Sequence, residues 1–295
     1  MALSVEQIDH LTDKLVALYG EAERVMLHRI AKALARGIDT PNWAAEKQLE
    51  FQLLQARLRG ELNTLAGRSA TEVAAAVMKA FNAGQAAAIA DVALAGLAAQ
   101  IVGGSNPAGL YAVRALIGET AASLLGSHAT ILRSVDDIFR AVIAEASPLQ
   151  LVGALTRRGV AQRALNRFAD KGVTAFIDAR GRQWSMTGYT EMATRTAARH
   201  AQIDGHTRQM LEHGQDLVIV SNHSQECSLC RPFEGKVLSL TGVPHVDVEP
   251  VGTLDQARAQ GLFHPGCRHT VGLYLPGVTK APTGTADPQG DADRQ

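Results

Sequence analysis

Aromatic residues make up only 4% of this 295-residue chain, and it has just three cysteines. With aromatics scarce, alanine and leucine dominate the apolar fraction. That composition favours helices over strands, since Ala, Leu, Arg, Gln and Glu head the helix-propensity order. An odd number of cysteines, all between 227 and 267, excludes a disulfide framework and points to a reducing compartment. Neither sign of charge is in excess: 29 Lys and Arg face 29 Asp and Glu, with a pI near 7.2. That is not the overall footprint of a nucleic-acid binder. No secretory leader is visible at the N-terminus, which turns amphipathic at once. The most apolar stretch, 86–102, is alanine-rich and contains Asp91 and Gln100, so it reads as a buried helix and not a membrane span. Also missing are a Walker loop, Gly-x-Gly-x-x-Gly, Gly-x-Ser-x-Gly and His-Glu-x-x-His. These absences leave no catalytic residue to name, and the chain is predicted not to be an enzyme.

What the chain does have is length enough for one large or two ordinary domains and a substantial core. Ile8, Leu11, Leu15, Leu18, Ala22 and Val25 repeat at 3–4 spacing, the seam of a helix that packs along a partner. Gly37 to Pro41 breaks that pattern. A second helix follows with Leu49, Leu53, Leu58, Leu62 and Leu65 on one side, predicting a long antiparallel hairpin. A further helix is expected from Thr71 to Ile101, ended by Gly103–Pro107, and others over 110–125, 131–145 and 148–170. Arg157, Arg158, Arg163, Arg167 and Lys171 form a basic stretch on the last of these. It is read first as a solvated face and second as a contact to DNA phosphates.

At Gly172 the pattern changes. Residues 173–186 alternate around a glycine turn and read as a β-hairpin, with Phe176 and Trp184 in its core. A helix over 187–212 follows, on which Glu191 and Arg195 have the spacing of an ordinary surface ion pair. Short β-rich runs at 216–221, 236–240 and 270–275 predict a small sheet. The predicted organisation is a helical hairpin or arm over 1–105, a helical linker domain over 106–171, an α+β module over 172–277 and a disordered tail over 278–295.

Two short runs carry chemistry: Cys227-Ser-Leu-Cys230 and His264-Pro-Gly-Cys267-Arg-His269. A Cys-x2-Cys and a His-x2-Cys on separate loops suit a tetrahedral zinc ion, and four protein ligands make such a site structural. Cys227, Cys230 and Cys267 are the predicted thiolate ligands. His264 is preferred for the fourth place, with His269 its rival, while His223 reads as a hydrogen-bonding loop residue. The fold class predicted is therefore a mainly α N-terminal region followed by a small α+β module closed by a structural Zn2+.

Residues 226–237, Glu-Cys-Ser-Leu-Cys-Arg-Pro-Phe-Glu-Gly-Lys-Val, and 263–270, Phe-His-Pro-Gly-Cys-Arg-His-Thr, resemble the C-terminal module of the phage minor capsid protein 2 family and the related MuF-like head morphogenesis proteins. Residues 174–186 and 189–196 resemble the same pattern. The resemblance implies a minor structural protein of a tailed phage, associated with the portal and capsid proteins and assisting head assembly or DNA packaging and delivery. It implies residence in the virion, in the capsid interior or at the portal vertex, after assembly in the host cytoplasm. In relatives the position of His269 is often cysteine, which implies that His269 is a ligand. The alternative is a zinc module that contacts packaged DNA, through Arg157, Arg158, Arg163 and Arg167 among others.

Overall fold

A computed structural model describes residues 4–36, 43–97, 107–151, 176–178, 181–223 and 227–280, with positions 159, 162 and 166. The predicted basic residues Arg157, Arg158, Arg163, Arg167 and Lys171 and the tail residues 281–295 lie outside the described residues. The chain is mostly helical, with a small sheet in its C-terminal part.

Helix α1 spans Val5–Ala35 and starts at a reciprocal cap. The Gln7 N–H donates to Ser4 Oγ at 3.2 Å, and the Ser4 N–H donates to Gln7 Oε1 at 2.9 Å. Helix α2 spans Trp43–Leu94, 52 residues, where the sequence pattern predicts two helices. Its buried positions Leu58, Leu62, Leu65, Ser69, Val73 and Val77 pass through the polar stretch at 67–71 without losing register. No proline interrupts it, so the helix continues. Helix α3, Pro107–Leu151, likewise joins the helices predicted over 110–125 and 131–145. The Gly-Ser-His segment at 126–128 is absorbed because Ser127 Oγ donates back to Leu124 O at 2.7 Å.

The chain divides into two compact units, each drawn from several parts of the sequence. One comprises Asp13–Val73 and Glu119–Glu191. In it Leu15, Tyr19, Met26, Ile30 and Leu34 of α1, and Leu54, Leu58, Leu62 and Leu65 of α2, are almost wholly buried. Ion pairs Arg29–Glu61 and Arg36–Glu50 fix the two helices as antiparallel neighbours. Phe51 stacks on Phe139 of α3 with ring centroids 4.6 Å apart. Tyr19 Oη lies 3.0 Å from His128 Nε2, and burial pulls His128 down to about 4. The predicted hairpin is present as β1 (Phe176–Ile177) and β2 (Gln183–Trp184), with Phe176 opposite Trp184. Trp184 is half-buried; its indole N–H donates to Asp178 Oδ2 at 3.0 Å, and its ring meets Tyr189 edge-on.

The other unit comprises Met1–Thr12, Ala74–Gly118 and Met192–Gln295. Here α2 meets helix α4 (Met186–Glu212) backbone to backbone. A Cβ on Gly84 would lie 2.0 Å from Gln202 O, and one on Gly205 would lie 2.2 Å from Phe81 O. Each helix-interior glycine costs about 1 kcal/mol against alanine, but only glycine admits this approach. Asp91, the charge inside the apolar 86–102 stretch, meets His206 Nε2 at 2.9 Å. By length and composition Glu50–Leu94 could also cross a membrane, with 44% of its most apolar window buried within the protein. Arg195, expected to pair with Glu191 from their spacing, also lies 2.7 Å from Asp9.

The sheet of this unit runs in the order β4-β3-β5, antiparallel throughout. Its centre, β3 (Leu217–Val220), is buried at all four positions, as a β-branched run flanked on both edges should be. β4 is Val237–Ser239 and β5 is Val271–Leu273. A short helix α5, Leu254–Ala259, starts at a Thr253–Gln256 capping box and adds Leu254 and Ala257 to the core.

Candidate metal centre

Strand pairing alone brings the two Cys/His runs together. Val220, the last residue of β3, pairs with Val271, the first of β5, and Ile219 pairs with Val237, the first of β4. The segment leaving β3 and the segment entering β5 therefore meet at one end of the sheet. A ladder extension holds them, with Ser221 N–H donating to Thr270 O at 2.9 Å and Thr270 N–H to Ser221 Oγ at 3.0 Å.

Local turns aim the side chains. After Cys227 the chain folds tightly, with the Cys230 and Arg231 N–H groups both donating to Cys227 O at 3.1 and 3.0 Å. In the second run His264-Pro265-Gly266-Cys267 forms a type II turn. The Cys267 N–H donates to His264 O at 2.9 Å, and Gly266 has φ +83°, as the third position of that turn requires. Proline presets the second position and glycine supplies the third.

Side-chain donors from both runs then converge. Cys227 Sγ is 2.9 Å from His264 Nε2, Cys230 Sγ is 3.5 Å from Cys267 Sγ, and Cys267 Sγ is 3.3 Å from His269 Nδ1. Two overlapping groups, Cys227/Cys230/His264 and Cys230/Cys267/His269, each have donor atoms within 4.8 Å of one another. Tetrahedral zinc with bonds of about 2.0–2.3 Å implies donor separations of about 3.5–3.8 Å, so the set is close to what one ion needs. Cys230 is fully buried and His269 nearly so, while Cys227, His264 and Cys267 are half-buried. The hydrogen bond from Cys230 holds the Cys267 thiol down to about 4, and the same bond pushes Cys230 up. Burial opposes charge on His269, but its bonds to Cys267 and Glu234 outweigh burial and raise it.

The two histidines are held differently. His264 Nδ1 lies 2.9 Å from Pro265 O, which makes it the donor and leaves Nε2 toward Cys227. His269 Nε2 lies 2.6 Å from Glu234 Oε1, leaving Nδ1 toward Cys267. Carboxylate–imidazole pairs of this kind fix ring orientation and raise ligand basicity at metal sites. His223, in neither group, donates its backbone N–H to Glu234 Oε1 at 2.8 Å, the loop role expected of it.

Glu234 has no place in the Cys/His reading of the sequence. It occupies the second position (φ −58°, ψ 131°) of a turn whose third is Gly235 at φ +65°. The Phe-Glu-Gly-Lys run at 233–236 could have pointed to that turn, though not to its target. Helix α4 supplies the rest of the surroundings. Thr196 Oγ1 accepts from the Gly266 N–H at 3.2 Å, and His200 Nε2 lies 2.7 Å from Phe263 O, where the backbone turns to φ +62°. Arg199 is buried between them in sequence; burial lowers its affinity for a proton, while the Cys267 thiolate favours its charge. A polar stripe at 196, 199 and 200 on one helix face was the available clue.

The chain belongs to the phage minor capsid protein 2 family, whose model matches residues 3–292. A protein described as "Structural protein" from Lactococcus phage LL-H is 27% identical over 110 residues, 36% of this chain. The match covers 30% of that relative's length. No solved structure matches. Membership of this family and the likeness to that relative support a structural role in a phage.

Proposed function

We propose that the chain is a portal-associated minor capsid protein that assists head assembly or DNA packaging and delivery, with its C-terminal part closed by a structural zinc ion. Family membership supports the first half of this reading. The site residues proposed are Cys227, Cys230 and Cys267 with one histidine, and the convergence of these donors from two loops is the observation that carries the second half. Both His264 and His269 are within reach of a thiol. The burial of His269 and its carboxylate partner Glu234 favour it as the fourth ligand, contrary to the preference for His264 from spacing. When bound, the ion would supply cross-linking between the two loops and no reaction step. Arg199 and the His269 N–H, which donates to Cys267 Sγ at 3.3 Å, would offset the charge of three thiolates around one divalent cation. In this reading the protein is no enzyme, because four protein ligands leave no coordination position for a reacting water.

The location proposed is the capsid interior or portal vertex, reached from the host cytoplasm during assembly. Quantitative mass spectrometry of purified particles tests it by counting this chain against portal and major capsid proteins. A few to about a dozen copies are expected, as the symmetry of a ring-shaped vertex dictates. Copy numbers matching the major capsid protein would overturn the portal-vertex reading. For the metal, elemental analysis of the purified chain should give one zinc per chain.

A further inference from the structure

The α1–α2 pair has an open groove along one flank, within the unit of residues 13–73 and 119–191. Two cavities of about 480 and 660 Å3 make it up, and they share Glu21 and Arg24. Its lining runs from Lys14 to Arg36 on α1 and from Glu50 to Glu72 on α2, with none from α3 or α4. At 1.5 Å per residue the α1 wall is about 33 Å long. The whole chain is electrically neutral, yet this lining holds seven lysines and arginines against three glutamates, Glu21, Glu50 and Glu72. Arg24, Arg29 and Arg36 have carboxylate partners. Lys14, Lys32, Arg57 and Arg68 have no ion pair among the described residues.

Between the cations lies apolar surface. Leu18 and Val25 are half-buried in it, and Leu53 is 62% exposed. A phosphate backbone would use the cations and leave Leu53 in water. A third helix with apolar residues on one side and carboxylates flanking them would satisfy both. The flank of a two-helix seam is where such a helix packs, its ridges in the groove between its neighbours.

We propose that this groove docks an acidic amphipathic helix of about 20 residues, the length set by the rise per residue, from a partner protein. Its apolar stripe covers Leu53 and Val25, and its Asp and Glu residues face Lys14, Lys32, Arg57 and Arg68. The inference does not depend on the metal centre.

The test uses the full chain in assembling particles, with Leu53 replaced by a photoreactive phenylalanine analogue. After irradiation the cross-linked peptide is sequenced. The expected product is a segment of a different protein with net negative charge and apolar residues at 3–4 spacing. Adding Lys32→Glu and Arg57→Glu should lower its yield by at least about tenfold, because like charges would then face each other. Lys32→Arg with Arg57→Lys should keep it, and circular dichroism of each variant separates lost docking from lost folding. A product joined to DNA, to this chain alone or to a segment without acidic residues would overturn the proposal. So would no product at all, or one that survives charge reversal in a folded variant.

Discussion

The two ends of this molecule are specified by different kinds of information. The α1–α2 pair repeats one instruction: a core-facing position every three or four residues, from Leu15 to Leu34 and from Phe51 to Val73, apolar and buried at all but the half-buried Ala22 and the polar Ser69. Burying one such side chain stabilises by about 1.5–3 kcal/mol, and no single one is indispensable. The C-terminal sheet has strands of four, three and three residues, and its connecting loops are longer than its strands. Its order rests on a few particular groups: three cysteines, two histidines, Glu234 and the glycines of two turns. Periodic helices tolerate substitution because the seam is redundant; a module closed by the proposed ion would not, because each donor would have one task.

Removing a donor should show the largest contrast. Cys230→Ser is expected to abolish zinc retention and unfold residues 217–273 while leaving the helical signal of α1–α3 nearly intact. Structural zinc contributes on the order of 10 kcal/mol of apparent binding free energy. Far-ultraviolet circular dichroism with elemental analysis checks this, and full zinc content in the variant would remove Cys230 from the ligand set.

Next in size is the helix crossing. Gly205→Ala puts a methyl group 2.2 Å from Phe81 O and should cost about 3 kcal/mol in urea denaturation. Gly60→Ala, on α2 with open space around it, should stabilise by about 0.5–1 kcal/mol. Equal effects at both positions would refute the close backbone approach.

His128 gives the helical unit its own acid sensitivity. Its folded value of about 4 lies below its ordinary 6.5, so the unfolded state binds the proton more readily. The stability this provides is complete above about pH 6.5 and is lost as pH falls toward 4, by at most about 3 kcal/mol. Comparing His128→Gln with the parent between pH 7.5 and 4.5 isolates the effect from acid release of the metal, and the parent should lose more stability over that range.

A change confined to the metal centre is expected from Glu234→Gln, which keeps the shape but removes the carboxylate from His269. Zinc affinity should fall about 10- to 100-fold. A loss of that size, with no comparable loss for a substitution at Pro265 O's partner His264, would make His269 the fourth ligand.

How much of this could be read in advance follows the same division. The α1–α2 hairpin, the hairpin at 176–184, α4 and the three short strands are legible, because each rests on local periodicity or a run of β-branched residues. The seam itself needs correcting: Ile8, Leu15, Leu58, Leu62 and Leu65 are buried as expected, but Leu53 is 62% exposed and Leu11, Leu18, Ala22 and Val25 are only half-buried, since the buried stripe runs through Tyr19, Met26 and Leu54 instead. Helix ends were less legible. The breaks expected in α2 and α3 fell at polar and glycine-containing stretches that the helices pass through, since the burial register on either side agrees. The five Cys and His donors stood out by spacing. Glu234, Arg199 and His200 did not, because their partners lie 35 residues or more away along the chain and only the sheet register or the packing of α4 brings them near. Choosing between His264 and His269 is of the same type: the carboxylate that favours His269 in the proposed site is one that spacing does not reveal.

The most direct test of the account is hydrogen exchange on the purified chain before and after a chelator, with zinc counted in both samples. The account predicts one zinc per chain, and after its removal loss of protection across 217–273 with the Leu54–Leu65 stretch of α2 still protected. Undiminished protection of β3 in a zinc-free chain would contradict it.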